Sequence, residues 1–114
     1  MTDKSISPGN TTMLVLKLLE TRDMYGYELI EELSQKSQEL FQLKTGTLYP
    51  LLHGLENDGN VTSYDQTTTD SKRIRKYYKL TTKGRGLLAQ KESEWQAYTN
   101  AIGRIMTGGA AYAN

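Results

Sequence analysis

Eight cations lie between Ser71 and Lys91 with no acidic residue among them: Lys72, Arg73, Arg75, Lys76, Lys79, Lys83, Arg85 and Lys91. Unopposed cations at that density, with Tyr77 among them, suit contact with a polyanion such as the phosphates of double-stranded DNA. A second set stands between residues 44 and 53: Lys44, Thr45, Gly46, Thr47, Tyr49 and His53. Hydroxyls and an imidazole at the start of a helix can hydrogen-bond phosphates or base edges, and a glycine there keeps bulk away from the amides that approach a phosphate. Tyr49 reads equally well as half-buried packing, and His53 as a plain surface residue. Neither set is catalytic. The chain has one histidine, no cysteine and no paired-carboxylate or nucleophile motif, and Gly84-x-Gly86 is too short for a phosphate loop. No enzyme, metal site or cofactor is expected.

A third pattern lies near the C-terminus. Leu88, Trp95 and Ile102 repeat at seven, and Lys91, Tyr98 and Ile105 repeat at seven between them. That is an a/d-like seam with a charged defect at Lys91. A helix of about 25 residues is near 37 Å long, more than a domain of 114 residues can cover by itself. A homodimer contact through Leu88, Trp95, Ile102 and Ile105 is expected.

The elements that must hold these sets follow from period and punctuation. Residues 1–10 read as a flexible arm. Met13 to Glu20 reads as a short buried helix capped by Thr11 or Thr12. A second helix runs from Met24 or Tyr25 to Ser37, with Leu29 and Leu33 inward and Glu28, Glu31 and Glu32 outward. Leu48, Leu51, Leu52 and Leu55 give the apolar stripe of a third helix, which Pro50 interrupts. If that helix starts near Lys44 to Gly46, Pro50 removes a helical hydrogen bond; if near Thr47, it costs little. Val61 to Tyr64 and Arg75 to Leu80 read as strands around a polar loop, 65–72. On strand alternation Tyr78 and Leu80 point inward, and Tyr77 shares the other face with Arg75. Thr81 or Thr82 caps a helix from Thr82 to Met106, and residues 107–114 read as a tail. Three helices, a hairpin and a long helix make a mainly α protein with a small β-hairpin: a winged helix-turn-helix over residues 11–81, with a C-terminal dimerisation helix over 82–106.

GTLYPLLHGLENDG (46–59) and RKYYKLTTKGRGLL (75–88) resemble the PadR family of bacterial transcriptional regulators. The matching positions are Gly46, Thr47, Leu48, Tyr49, Pro50, Leu55, Glu56, Gly59, Arg75, Lys76, Tyr77, Tyr78, Leu80, Thr81, Lys83 and Gly84. Tyr25-Gly26-Tyr27-Glu28 resembles the family's His-Gly-Tyr-Glu, with tyrosine in place of the histidine. Lys44 stands where a Ser or Asp cap is common, and Asn60 replaces one of two bulky apolar residues. The resemblance implies a sequence-specific repressor on a palindromic operator. It also implies DNA contacts from the third helix and from the wing, at Lys72, Arg73, Arg75, Lys76 and Tyr77. The single C-terminal helix with a central tryptophan is similar to multidrug-responsive members, in which tryptophans face each other across a pore. It thus implies a planar aromatic or phenolic effector bound by Lys91, Trp95 and Tyr98.

The net charge is +1 and 37% of residues are hydrophobic, a content that fits a core shared with a partner chain. No apolar run reaches the roughly 18 residues of a membrane span, and the N-terminus lacks the apolar core of a signal peptide. A cytoplasmic protein, at the nucleoid when bound to DNA, is expected. The rival reading is a dimeric winged-helix adaptor that binds protein through its acidic second helix; the basic wing weighs against it.

Overall fold

The computed structural model describes residues 6–68 and 72–108. The chain runs α1 (Pro8–Thr21), β1 (Met24–Tyr25), α2 (Gly26–Lys36), α3 (Thr45–Asn57), β2 (Val61–Thr67), β3 (Ile74–Leu80) and α4 (Thr82–Met106). The three strands form one antiparallel sheet in the order β1-β3-β2. Leu16 and Leu19 of α1, Leu29 and Leu33 of α2, and Leu48, Leu52 and Leu55 of α3 bury their side chains together. Met24, Val61, Tyr78 and Leu80 close that core from the sheet, and Leu88 from α4. This is a winged helix-turn-helix: α2 and α3 are the helix pair, β2 and β3 the wing. No helix among the described residues is long and apolar enough to cross a membrane.

Several boundaries differ from the sequence expectation. Residues 1–5 of the expected arm lie outside the described residues, but Pro8 to Asn10 form the first turn of α1. Proline suits that position, because its fixed φ is helical and its missing N–H would have no partner there. Thr11 and Thr12 do not cap α1. Their hydroxyls donate back to the carbonyls of Ser7 and Pro8, each at 3.1 Å. Helix α2 starts at Gly26 rather than one or two residues earlier, because the Glu28 carboxylate takes the N–H of Tyr25 at 3.2 Å. Met24 and Tyr25 instead pair with Tyr78 and Tyr77, a strand the sequence reading missed. β2 extends to Thr67, so Asp65 to Thr67 are ladder rather than loop, paired with Ile74 to Lys76. The ladder uses backbone groups alone, and polar side chains on an exposed edge do not oppose it. In the expected tail, Thr107 and Gly108 follow α4, and residues 109–114 lie outside the described residues.

Helix α3 begins early. Lys44 is its N-cap, offers no side-chain cap, and accepts the N–H groups of Thr47 and Leu48 at 3.0 and 2.9 Å. Pro50 therefore lies inside the helix, and the Gly46 carbonyl loses its helical donor. Gly46 is exposed, so water replaces that donor at modest cost. Helix α4 has the expected bounds, and the Thr81 hydroxyl accepts the Gly84 N–H at 3.0 Å. Gly84 lies against the Asn60 backbone carbonyl and the Leu80 side chain, where a Cβ would collide. That contact seats the start of α4 on the α3–β2 junction. The Asn60 side chain is closed in there, and its Oδ1 meets no hydrogen-bond donor among the described residues.

Candidate nucleic-acid interface

At about 100° per residue, the stripe Leu48, Leu52 and Leu55 turns the opposite face of α3 outward, with Gly46, Pro50, His53 and Asn57 along it. Lys44, Thr45 and Thr47 are exposed around its first turn. A Cβ on Gly46 would meet nothing within 4 Å, so this end of the helix is open to close approach. His53 is exposed one turn further on. Asn57, exposed at i+4 from His53, was missed by the sequence reading, although the spacing alone would have found it. Tyr49 is half-buried: its ring and hydroxyl cover Gly26, where any Cβ would collide with them. The packing reading of Tyr49 therefore holds in the free protein, and Gly26 is the reason α2 and α3 approach closely.

The wing holds the second set. Lys72 and Arg73 are exposed where β3 begins, Lys72 with a left-handed φ of 56°. The Arg73 carbonyl accepts the Thr68 N–H at 2.8 Å across the wing. Lys76 pairs with Glu56 of α3 at 3.7 Å, and Glu56 also accepts the Ser63 hydroxyl of β2 at 2.5 Å. That hydroxyl, more than the charges of Lys76 and His53, holds the Glu56 carboxyl below its ordinary range. Glu56 thus ties α3 to both wing strands, and nothing in the sequence spacing pointed to it.

Alternation along β3 is as expected. Tyr78 and Leu80 are buried, while Arg75, Tyr77 and Lys79 take the outer face. On that face Tyr25, Tyr77 and Tyr64 stand side by side across the three strands, Tyr77 edge-on to Tyr25 and stacked on Tyr64. Tyr77 is therefore half-buried between two rings. The Tyr64 hydroxyl donates to Asp23 at 2.6 Å, which pushes its pKa up to about 12. The Arg75 guanidinium lies over the rings of Tyr25 and Tyr27. Of the remaining cations, Lys83 donates to the Asp58 carbonyl at 2.5 Å, and Lys79 and Arg85 are exposed.

On α4 the expected seam needs one correction. Leu88 is 1% exposed inside the chain's own core, because the start of α4 packs on its own domain, and so it cannot serve a dimer contact. From Trp95 onward the picture reverses: Trp95, Tyr98, Ile102, Ile105 and Met106 are all exposed, Tyr98 at 67% and Ile105 at 79%. Lys91, Trp95 and Tyr98 line one open cavity of about 420 Å³ together with Gly9, Asn10 and Met13 of α1. The structure thus brings the three expected effector residues together.

Residues 15–90 match the sequence profile of the transcriptional regulator PadR-like family. A protein of Lysinibacillus sphaericus is 32% identical over 108 residues, covering 95% of this chain and 98% of that one. A solved protein of Streptococcus mutans superposes with a TM-score of 0.80 at 32% identity, covering 95% of this chain and 96% of its own. A PadR family transcription regulator of Clostridium difficile superposes with a TM-score of 0.71 at 32% identity, covering 83% of this chain and 96% of its own.

Proposed function

The chain belongs to the PadR-like family of transcriptional regulators, and on that premise we propose that this DNA-binding regulator acts as a homodimeric repressor. It binds a palindromic operator through α3 and the wing, at the nucleoid in the cytoplasm, and is released by a planar aromatic or phenolic effector. The observation that carries the dimer is the bare apolar run on α4, from Trp95 to Met106. Five large apolar side chains on one helix end are costly to leave in water and suit burial against a second copy. Two-fold pairing sets two copies of α3 against half-sites about one helical turn apart. Lys44, Thr45, Gly46, Thr47 and His53 then face the major groove, and Lys72, Arg73 and Lys76 the backbone beside it.

The effector reading rests on the cavity between α1 and α4. A flat aromatic ring beside Trp95 gains stacking, and a cationic ring gains cation–π attraction as well. Binding there changes the separation of the two recognition helices only by the ligand's differential affinity for the two spacings. Footprinting on the DNA immediately upstream of its own gene tests the core of the proposal. Two protected half-sites related by two-fold symmetry are expected; uniform, sequence-indifferent protection would overturn it. Titration with planar dyes should quench Trp95 emission, and a response that survives Trp95→Ala removes the effector site.

A further inference from the structure

One cation of the basic set is held unlike the others. The Arg75 guanidinium carbon lies 5.3 Å from the Tyr25 ring centroid and 5.7 Å from that of Tyr27. Among the described residues Lys76, the one other cation of that set over a ring, meets Tyr78 alone and pairs with Glu56, whereas Arg75 has no carboxylate partner. Its Nε is sealed from solvent and meets no acceptor among the described residues. Ring faces attract a guanidinium without neutralising it. Arg75 is therefore a full positive charge in a fixed place. The carboxylates that flank the two tyrosines in sequence are engaged elsewhere: Asp23 accepts the Tyr64 hydroxyl, and Glu28 pairs with Arg22 and takes the Tyr25 N–H.

The place is informative. Arg75 stands on β3 two residues after Arg73, paired with Gln66 one rung in from the open end of the wing. Tyr27 is exposed in the first turn of α2, beside Gly26, and Gly26 carries the Tyr49 ring of α3. The wing and the first turn of α2 therefore meet at this side chain, and α2 meets α3 next to it, at Gly26.

We propose that Arg75, cradled by Tyr25 and Tyr27, is a preset anchor for one backbone phosphate of the bound DNA, between the wing and the first turn of α2, with the two tyrosines as its positioning residues. This rests on the DNA-binding reading above and extends the contact surface onto the first turn of α2. With Nε covered, the terminal Nη groups meet the phosphate oxygens, and a planar fork presents two parallel N–H donors to them. The rings hold that plane before DNA arrives, so little side-chain freedom remains to be lost. The contact reads no sequence; it fixes register.

The test measures affinity over a range of salt concentrations for two duplexes of equal length, one from upstream of the gene and one unrelated. Arg75→Ala should lower the salt slope by about 1 on both. Arg75→Lys should keep the slope yet lose several-fold in affinity on both, since a point charge cannot use the fork. Tyr25→Phe and Tyr27→Phe, which keep the ring faces, should bind nearly as the parent. The paired Tyr25→Leu and Tyr27→Leu variant should lose affinity with its slope retained. Unfolding midpoints identify variants that fail to fold, and in that case the lysine and phenylalanine variants decide. An unchanged slope in Arg75→Ala, on DNA that the parent binds with a steep slope, overturns the anchor and leaves the DNA reading standing. A parent that binds neither duplex in a salt-dependent way overturns both.

Discussion

Replacing Asn60 by leucine should make this protein more stable, by about 1–3 kcal/mol. Asn60 is 6% exposed, and its Oδ1 is shut away from solvent and from any donor among the described residues. A buried acceptor left unmade costs the desolvation of that group, of the order just given. Leucine has the same number of heavy atoms branching at Cγ and removes the orphan; its bulkier, tetrahedral methyls need a small local repacking, set against that gain. The backbone duties of the position are untouched: the residue 60 N–H still donates to Leu55 at 2.8 Å, and its carbonyl still accepts from Thr81 at 3.2 Å. Thermal unfolding at a fixed protein concentration reads the effect, since pairing of chains would make the midpoint concentration-dependent. A gain of 1 kcal/mol should raise the midpoint by about 4 °C or more. Asn60→Asp is the opposing control; it places a charge where an uncharged acceptor already lacks a partner and should destabilise sharply. A leucine variant that melts at or below the parent temperature would refute the reasoning and show that Oδ1 is satisfied in solution.

Three further outcomes are expected. Gly26→Ala forces a Cβ into the Tyr49 ring and should destabilise by about 1–3 kcal/mol; in a double-mutant cycle, Tyr49→Leu should recover part of that loss. The Glu56 carboxyl, held below its ordinary value of 4.5, contributes stability above that pH and loses it as pH falls through its lowered value; Glu56→Gln should therefore flatten the acid limb of the stability–pH profile, and an unchanged limb would exclude that role. Ile105→Glu should convert a dimer to a monomer in sedimentation without lowering helix content, since Ile105 touches little of its own chain.

What could be read from the sequence was what repeats locally. The bounds of α4, the stripes of α2 and α3, and the alternation of Tyr77 and Tyr78 all follow from period, and period needs no knowledge of neighbours. Met24–Tyr25 is too short to have a period and exists only because β3 offers a distant edge. Glu56 looks like any helix carboxylate until Ser63 and Lys76 are brought beside it, and the Arg75 cradle likewise depends on β1. Leu88 was drawn into the seam because a seven-residue repeat cannot tell which turns of a helix are covered by their own domain. Residues 8–10 read as part of the arm because they carry no apolar stripe, although proline also opens helices.

The link through Glu56 has a calorimetric consequence. The last turn of α3 is fastened to both strands of the wing in the free chain, through Ser63 and Lys76. A reading head assembled in advance leaves little polypeptide to fold upon docking. The heat-capacity change of association should then follow the contact surface alone, without the surplus seen when segments fold on binding. The enthalpy of association would then vary only gently with temperature, and a van't Hoff plot of the affinity would run close to a straight line.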